Sequence, residues 1–235
     1  MHMTGSAYTT AAMRGGARAR RSDPGGPLGI AGVCLVALVL IWAVAQLVPA
    51  AQFRDALALR DFTLLSRPHV DEAGNFLLHL LEPARYVVWG TLLVCVAIAR
   101  RRPRSAIAVV ALMALAPLTA DILKPLLAHP HAQVGDVHVG AASWPSGHSS
   151  AAAAIAISAV LVAPARLRAV VAAAGFAFAA AVGCALLILA WHMPSDVLGG
   201  YLVAVLWAAL AVAALRASER RWPSRRRLRA RGQPV

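Results

Sequence analysis

Long apolar runs that carry almost no charge restrict the fold of this chain more than any other feature. Of its 235 residues, 60% are hydrophobic and 14% are charged, whereas soluble domains are about 45–50% apolar and about 25% charged. A run of about 20 apolar residues can cross the hydrocarbon core of a bilayer as a helix. We therefore predict an all-α integral membrane protein, with one membrane domain because no polar linker divides the runs.

Six apolar runs are candidates for transmembrane helices. They cover residues 29–51, 86–99, 106–127, 149–163, 169–190 and 196–215, and the second can be extended back through residues 76–81. We predict a membrane domain over 29–216, with a disordered Arg-rich tail at 1–28 and an Arg-rich polar tail at 217–235. The connection 52–84 is predicted to hold a short amphipathic helix near 53–65. A cleaved signal peptide is the alternative for the first run.

Arginine placement predicts the topology. The formal net charge is +13, but the arginines lie between and beyond the apolar runs and do not form one soluble face, so topology explains them better than nucleic-acid binding. The positive-inside rule places four Arg-rich segments on the cytoplasmic side: both tails, the 100–104 connection and the Arg166/Arg168 connection. We expect six spans with both termini cytoplasmic. The Ala- and Arg-rich usage is typical of bacterial high-GC genomes, so the expected location is the bacterial cytoplasmic membrane.

This topology brings Lys124, His148, His192 and Asp196 to the outer, extracytoplasmic membrane face. Four polar residues from separate helix ends at one interface form a candidate site. The three cysteines, Cys34, Cys95 and Cys184, lie inside apolar runs and have no disulfide or metal-ligand spacing.

The stretch 144–150, WPSGHSS, lies at a predicted helix start. Proline suits the first helical turn, and Gly147 allows close backbone approach by a ligand. With the Ser146 hydroxyl and free backbone N–H groups, such a start is an anion site. His148 can exchange a proton near neutral pH.

A second pair of polar residues follows one further apolar run. Asp196 is four residues after His192 and can accept one imidazole N–H, which leaves the other ring nitrogen free as a nucleophile. A structural pair that caps the helix is the alternative. Lys124, the only lysine of the chain, could hold phosphate oxygens or extend to the membrane interface.

The chain resembles the type 2 phosphatidic acid phosphatase superfamily of membrane lipid phosphatases. The resemblance rests on three motifs on six predicted spans: Lys124, Pro145-Ser146-Gly147-His148 and His192-x-x-x-Asp196. The family pattern is KxxxxxxRP, PSGH and SRxxxxxHxxxD, and the match covers roughly residues 86–215. The resemblance implies that His192 attacks phosphorus, Asp196 orients it and His148 protonates the leaving oxygen. Lys124, Ser146 and Gly147 would hold the phosphate. It also implies no metal and no organic cofactor.

Two arginines of the family pattern are missing. His131 and Ala132 stand at the Arg-Pro position of the first motif, and Ala185-Leu186 replaces Ser-Arg in the third. Their loss should cost charge stabilisation in the transition state. Protonated His129, His131 and His138 could compensate in part; ordinary loop histidines are the alternative. Their spacing fits no zinc pattern.

The leading hypothesis is a metal-independent lipid phosphatase acting on a polyprenyl or phosphatidate-like lipid through a phosphohistidine. A lipid headgroup phosphotransferase would use the same His148, His192 and Asp196, with an alcohol in place of water. A non-catalytic lipid-binding relative is a third hypothesis. A transporter is disfavoured because the polar residues gather at one membrane face and not at mid-depth.

Overall fold

The computed structural model describes residues 24–132, 134–135 and 137–222. This part of the chain is helical apart from its connections, which confirms the predicted all-α class. Its α-helices are α1 (Gly25–Leu47), α2 (Pro49–Thr63), α3 (Pro68–His79), α4 (Pro83–Ala99), α5 (Pro103–Leu126), α6 (Gly147–Val162), α7 (Arg168–Ile188) and α8 (Pro194–Arg221). A short 3-10 helix, Ala165–Leu167, precedes α7.

The first helix begins and ends earlier than the predicted span at 29–51. Residues 25–28, predicted as part of a disordered tail, form the first turn of α1, where Pro27 is tolerated because an N–H there has no intrahelical partner. The helix ends at Leu47 because Pro49 cannot donate to a preceding turn. Val48 is extended, with φ −102° and ψ 108°, as expected before proline. Pro24 precedes this helix as its N-cap residue, and residues 1–23 of the predicted tail lie outside the described residues.

The last helix is longer than the predicted span at 196–215. Residues 217–221, predicted as the start of an Arg-rich tail outside the membrane domain, continue α8 to Arg221. Arg220 and Arg221 occupy its last turn, where positive charge interacts favourably with the helix dipole. The remainder of the predicted tail, residues 223–235, lies outside the described residues.

Four of the described helices are long and apolar enough to cross a membrane: α1, α5, α7 extended by its 3-10 turn, and α8. The pair α3 and α4, bent by 59° at its break, counts as a fifth span if it is taken as one. Helix α6 is apolar but has only 16 residues. Length and composition therefore support four or five spans, one or two fewer than the six predicted.

Helix α6 lies at the centre of the bundle, packed against α4, α5, α7 and α8. Its Ala151–Ala154 stretch is buried, and these small side chains let neighbouring helices approach closely. A Cβ added at Gly175 of α7 would lie 2.8 Å from the Ala156 Cβ of α6, so glycine is needed at this crossing. The central position of α6 places its N-terminus among several other helix ends.

Large apolar side chains cover the outside of the bundle. Val33 of α1, Ile107 of α5 and Phe176 of α7 are 69%, 70% and 77% exposed. A soluble monomer rarely leaves so many large apolar residues uncovered, whereas lipid accommodates them. The chain is a multi-pass membrane protein.

Candidate active site

The N-terminus of α6 is capped by Ser146. Its Oγ accepts a hydrogen bond from the Ser149 backbone N–H at 3.3 Å, as a serine N-cap does. Ser146 and Ser149 are fully buried, whereas Gly147 and His148 are partly accessible. The cap therefore fixes the helix start and leaves the last two residues of the PSGH motif open to a ligand.

The His192–Asp196 turn leads into α8. His192 Nδ1 is 3.3 Å from Asp196 Oδ2, and the same oxygen accepts the Met193 backbone N–H at 2.9 Å. His192 is 7% exposed and Asp196 is fully buried. With Nδ1 directed at the carboxylate, Nε2 is the ring nitrogen left for chemistry. The bond to the Met193 N–H is also the helix cap that the sequence offered as the alternative role for this pair. The Asp196 carboxylate therefore both caps α8 and orients His192.

Direct hydrogen bonds join these two segments. The Ser146 backbone N–H donates to the Asp196 carbonyl at 2.9 Å, and the Ser149 hydroxyl donates to the Val197 carbonyl at 3.1 Å. Gly199 allows this approach, because a Cβ there would lie 2.8 Å from Trp144 Nε1. The PSGH motif and the HxxxD motif therefore form one rigid unit.

His148 lies next to this unit. Its ring meets the Trp191 ring edge to face, with centroids 5.7 Å apart. The His148 imidazole also interacts electrostatically with His192, Lys124 and Asp121. The two histidines and the lysine predicted from sequence are therefore brought together.

Lys124 is partly neutralised by a neighbouring acid. Its Nζ is 3.3 Å from Asp121 Oδ1, with the lysine side chain 26% and the aspartate side chain 65% exposed. A Cβ added at Gly147 would lie 3.2 Å from Asp121 Oδ1 and 3.4 Å from Lys124 Nζ. Both charges therefore border the open N-terminus of α6.

An apolar groove of about 770 Å³ runs from this point between α4, α5 and α6. Its polar end holds Asp121, Lys124, Gly147 and His148. The rest of its lining is mainly apolar, and includes Tyr86, Val87, Gly90, Val94, Val109, Met113, Ala114 and Leu118. The groove therefore combines a charged end with a long apolar wall.

The loop histidines have other contacts. His129 Nδ1 is 2.9 Å from the Pro130 carbonyl oxygen, and His131 Nε2 is 2.8 Å from the Ser143 hydroxyl. His138 is exposed, and none of the three lines the groove. Among the described residues no group of three or more His, Cys, Asp or Glu is placed to hold a metal ion.

Apolar packing occupies the position of the missing third-motif arginine. Leu186 is fully buried and Ala185 is 5% exposed, in a cluster with Met193 and Val197 directly behind the site. Because Leu186 fills this space, the second arginine of the family pattern has been replaced by core structure.

Sequence reasoning missed Asp55 of α2. Its carboxylate accepts two hydrogen bonds from Ser195, one from the backbone N–H at 3.2 Å and one from the hydroxyl at 2.6 Å. Burial raises the pKa of the Asp55 carboxyl above its usual range, and the Ser195 hydrogen bonds oppose this rise. One signal was present in the sequence, because Asp55 lies in the predicted amphipathic stretch next to the apolar Ala56 and four residues before Leu59, both of which are buried in α2.

These features define a class: a multi-pass helical membrane protein in which Lys124 and His148 lie at the charged end of an apolar groove. The turn that carries the second histidine and the aspartate is hydrogen-bonded to the same helix start. The family model of the PAP2 superfamily matches residues 105–220, which contain every predicted catalytic residue. The chain belongs to the PAP2 superfamily, which confirms the resemblance noted in the motifs.

The fold is similar to that of the crystal structure of the first transmembrane PAP2 type phosphatidylglycerolphosphate phosphatase from Bacillus subtilis. The TM-score is 0.66 at 20% sequence identity, and the match covers 85% of this chain and 98% of that chain. At this identity the likeness describes the fold alone. No curated protein sequence matches the chain.

Proposed function

We propose that the chain is a lipid phosphatase that hydrolyses a phosphomonoester or diphosphate of a membrane lipid through a phosphohistidine. One observation carries the proposal: the His192–Asp196 turn is hydrogen-bonded to the PSGH helix start at the charged end of an apolar groove. The groove can hold a hydrocarbon tail while the N-terminus of α6 holds the phosphate. Membership of the PAP2 superfamily supports the same chemistry.

In the first step, His192 Nε2 forms a bond to phosphorus while the bond to the lipid oxygen breaks. His148 donates a proton to that leaving oxygen. Asp196 accepts the His192 Nδ1–H and stabilises the positive ring that forms. Lys124 and the backbone N–H groups at Gly147 and His148 face the phosphoryl oxygens, where negative charge develops.

In the second step, water attacks phosphorus and the bond to His192 breaks. His148 accepts the proton of that water, so inorganic phosphate leaves and both histidines return to their starting forms. The apolar groove directs the substrate class toward a polyprenyl or phosphatidate-like lipid, because its walls offer few polar groups to a soluble ester.

The proposed topology has six spans, both termini in the cytoplasm and the site at the outer face of the bacterial cytoplasmic membrane. The bias of the arginines toward one side of the membrane supports this topology. Helix α6, with 16 residues, would span as a short central helix. Labelling of intact cells with a membrane-impermeant maleimide tests this: Gly140→Cys should react and Arg166→Cys should not, in a variant without the native cysteines.

Phosphate release by the purified protein in detergent, with excess chelator, tests the reaction. The panel contains a polyprenyl diphosphate, a polyprenyl monophosphate, phosphatidate and phosphatidylglycerol phosphate. We expect release from at least one lipid, and a fall of about 10³-fold or more in His192→Ala. Release that persists undiminished in His192→Ala would exclude the phosphohistidine route.

A lipid headgroup phosphotransferase is the second candidate, and the charge of the site favours it. Lys124 is paired with Asp121 and Leu186 replaces an arginine, so the site offers little positive charge to a dianionic monoester. A phosphodiester has one negative charge and needs less compensation. Capture of the headgroup by an added alcohol, without phosphate release, would identify this reaction. If neither product forms with any lipid, the chain is a non-catalytic lipid-binding relative.

A further inference from the structure

The acidic residue Asp55 reaches the catalytic turn from a helix outside the matched family region. It lies on α2, 140 residues before its partner Ser195. Its Oδ1 accepts the Ser195 backbone N–H at 3.2 Å, and its Oδ2 accepts the Ser195 hydroxyl at 2.6 Å. Ser195 is 6% exposed, so water is a poor substitute for these bonds.

The position of Ser195 in α8 explains why the contact matters. The first backbone N–H groups of a helix have no intrahelical partner. Pro194 has no N–H, so Ser195 supplies the first free donor of α8, and Asp55 accepts it. The next residue, Asp196, uses its own carboxylate on the Met193 N–H and on His192 Nδ1.

Two carboxylates from different helices therefore fix the same turn. Asp196 holds it from within, and Asp55 holds it from α2. The His192–Asp196 contact is 3.3 Å, at the long end for a hydrogen bond. A small movement of the α8 N-terminus would lengthen it further and turn the imidazole away from the phosphate.

We infer that Asp55 is a positioning residue for the nucleophile: through Ser195 it holds the start of α8 where Asp196 can orient His192. The effect of this positioning on catalysis rests on the proposed function. The positioning itself depends only on the two hydrogen bonds to Ser195. Asp55 makes no contact with the groove, so it acts through the turn and not on the substrate.

The first measurement is steady-state kinetics of Asp55→Ala, Asp55→Asn, Ser195→Ala and the Asp55→Ala/Ser195→Ala double variant. Asp61→Asn is the matched control, because Asp61 lies on the same helix and is exposed. We expect kcat to fall about 100-fold in Asp55→Ala, since a misplacement of about 1 Å can cost that much, with KM little changed. Asp55→Asn should keep most activity, because its amide can accept the Ser195 N–H and donate to the Ser195 oxygen.

The double variant should be no worse than Asp55→Ala, since both changes break the same link. A kcat for Asp55→Ala equal to that of Asp61→Asn would overturn the inference. So would a loss in Asp55→Asn as large as that in Asp55→Ala, because charge and not hydrogen-bonded position would then be responsible.

The second measurement is backbone hydrogen exchange of the peptide 191–197, which does not depend on activity. We expect faster exchange there in Asp55→Ala, with α5 unchanged and Asp61→Asn like the wild type. Unchanged exchange at 191–197 would overturn the positioning role. If the wild type released no phosphate from any lipid, the proposed function would fail and this exchange result would still decide whether Asp55 holds the turn.

Discussion

At the scale of single residues, the two histidines of the site are held in place to different degrees by their neighbours. His192 is fixed by Asp196 and the turn around it. His148 is held by its place at the α6 start and by an edge-to-face contact with Trp191, and its ring interacts electrostatically with His192, Lys124 and Asp121. A firmly oriented ring suits a nucleophile, and a ring open to the groove suits proton exchange with substrate and water.

The proposed general acid can be tested by changing the leaving group. We expect His148→Ala to lower kcat about 10²–10⁴-fold for a lipid alkyl phosphate, whose leaving oxygen needs a proton. For an aryl phosphate with an acidic phenol as leaving group, the loss in the first step should be much smaller. Burst kinetics with both substrates in wild type and His148→Ala measure this. Equal losses in the burst rate for the two esters would show that His148 does not protonate the leaving oxygen.

At the scale of helices, α5 shows how a proline can be accommodated beside a groove. Pro117 lies inside α5, and it has no N–H to give to the Met113 carbonyl four residues earlier. The Tyr86 hydroxyl of α4 donates to that carbonyl at 2.8 Å. The bond satisfies the carbonyl and joins the two helices that form the groove walls.

A double-mutant cycle tests this account. Tyr86→Phe leaves the Met113 carbonyl without a donor, so we expect the variant to lose about 1–3 kcal/mol of stability. In Pro117→Ala the helix regains its own N–H donor at this position. Adding Tyr86→Phe to Pro117→Ala should therefore cost much less than Tyr86→Phe alone. Unfolding in mixed micelles measures the four proteins, and equal costs in the two backgrounds would contradict the account.

The helices also show what the sequence could predict. PSGH and HxxxD were recognised because each motif is local, and the structure brings them together as hydrogen-bonded neighbours. Asp55 could not be assigned a partner, because its contact with Ser195 spans 140 residues and no spacing rule reports it. Hydropathy located the apolar runs but not their ends, since single prolines such as Pro49 decide where the helices stop and start.

At the scale of the whole molecule, the site and the membrane are connected by the groove. Its charged end lies at Lys124 and His148, and its apolar wall continues between α4 and α5. A lipid substrate of the proposed kind would enter from the bilayer, with its headgroup remaining at the level of the α6 N-terminus. Tail recognition and chemistry would then be separable, because the apolar wall and the charged end are formed by different residues.

Filling the groove should therefore weaken tail binding and spare the chemistry. Gly90 lines the groove, and a Cβ there would lie 3.5 Å from the Met113 Cε, so Gly90→Leu projects a side chain into it. We expect KM for a long-chain lipid phosphate to rise about tenfold, or about 1.4 kcal/mol, with kcat for a short-chain soluble ester unchanged. Gly32→Leu is the control, because Gly32 is exposed on α1 with nothing within 4 Å of an added Cβ. If both variants changed the long-chain KM equally, or if neither did, the tail would not lie in this groove. If Gly90→Leu also lowered the turnover of the short ester, the substitution would act on the site itself.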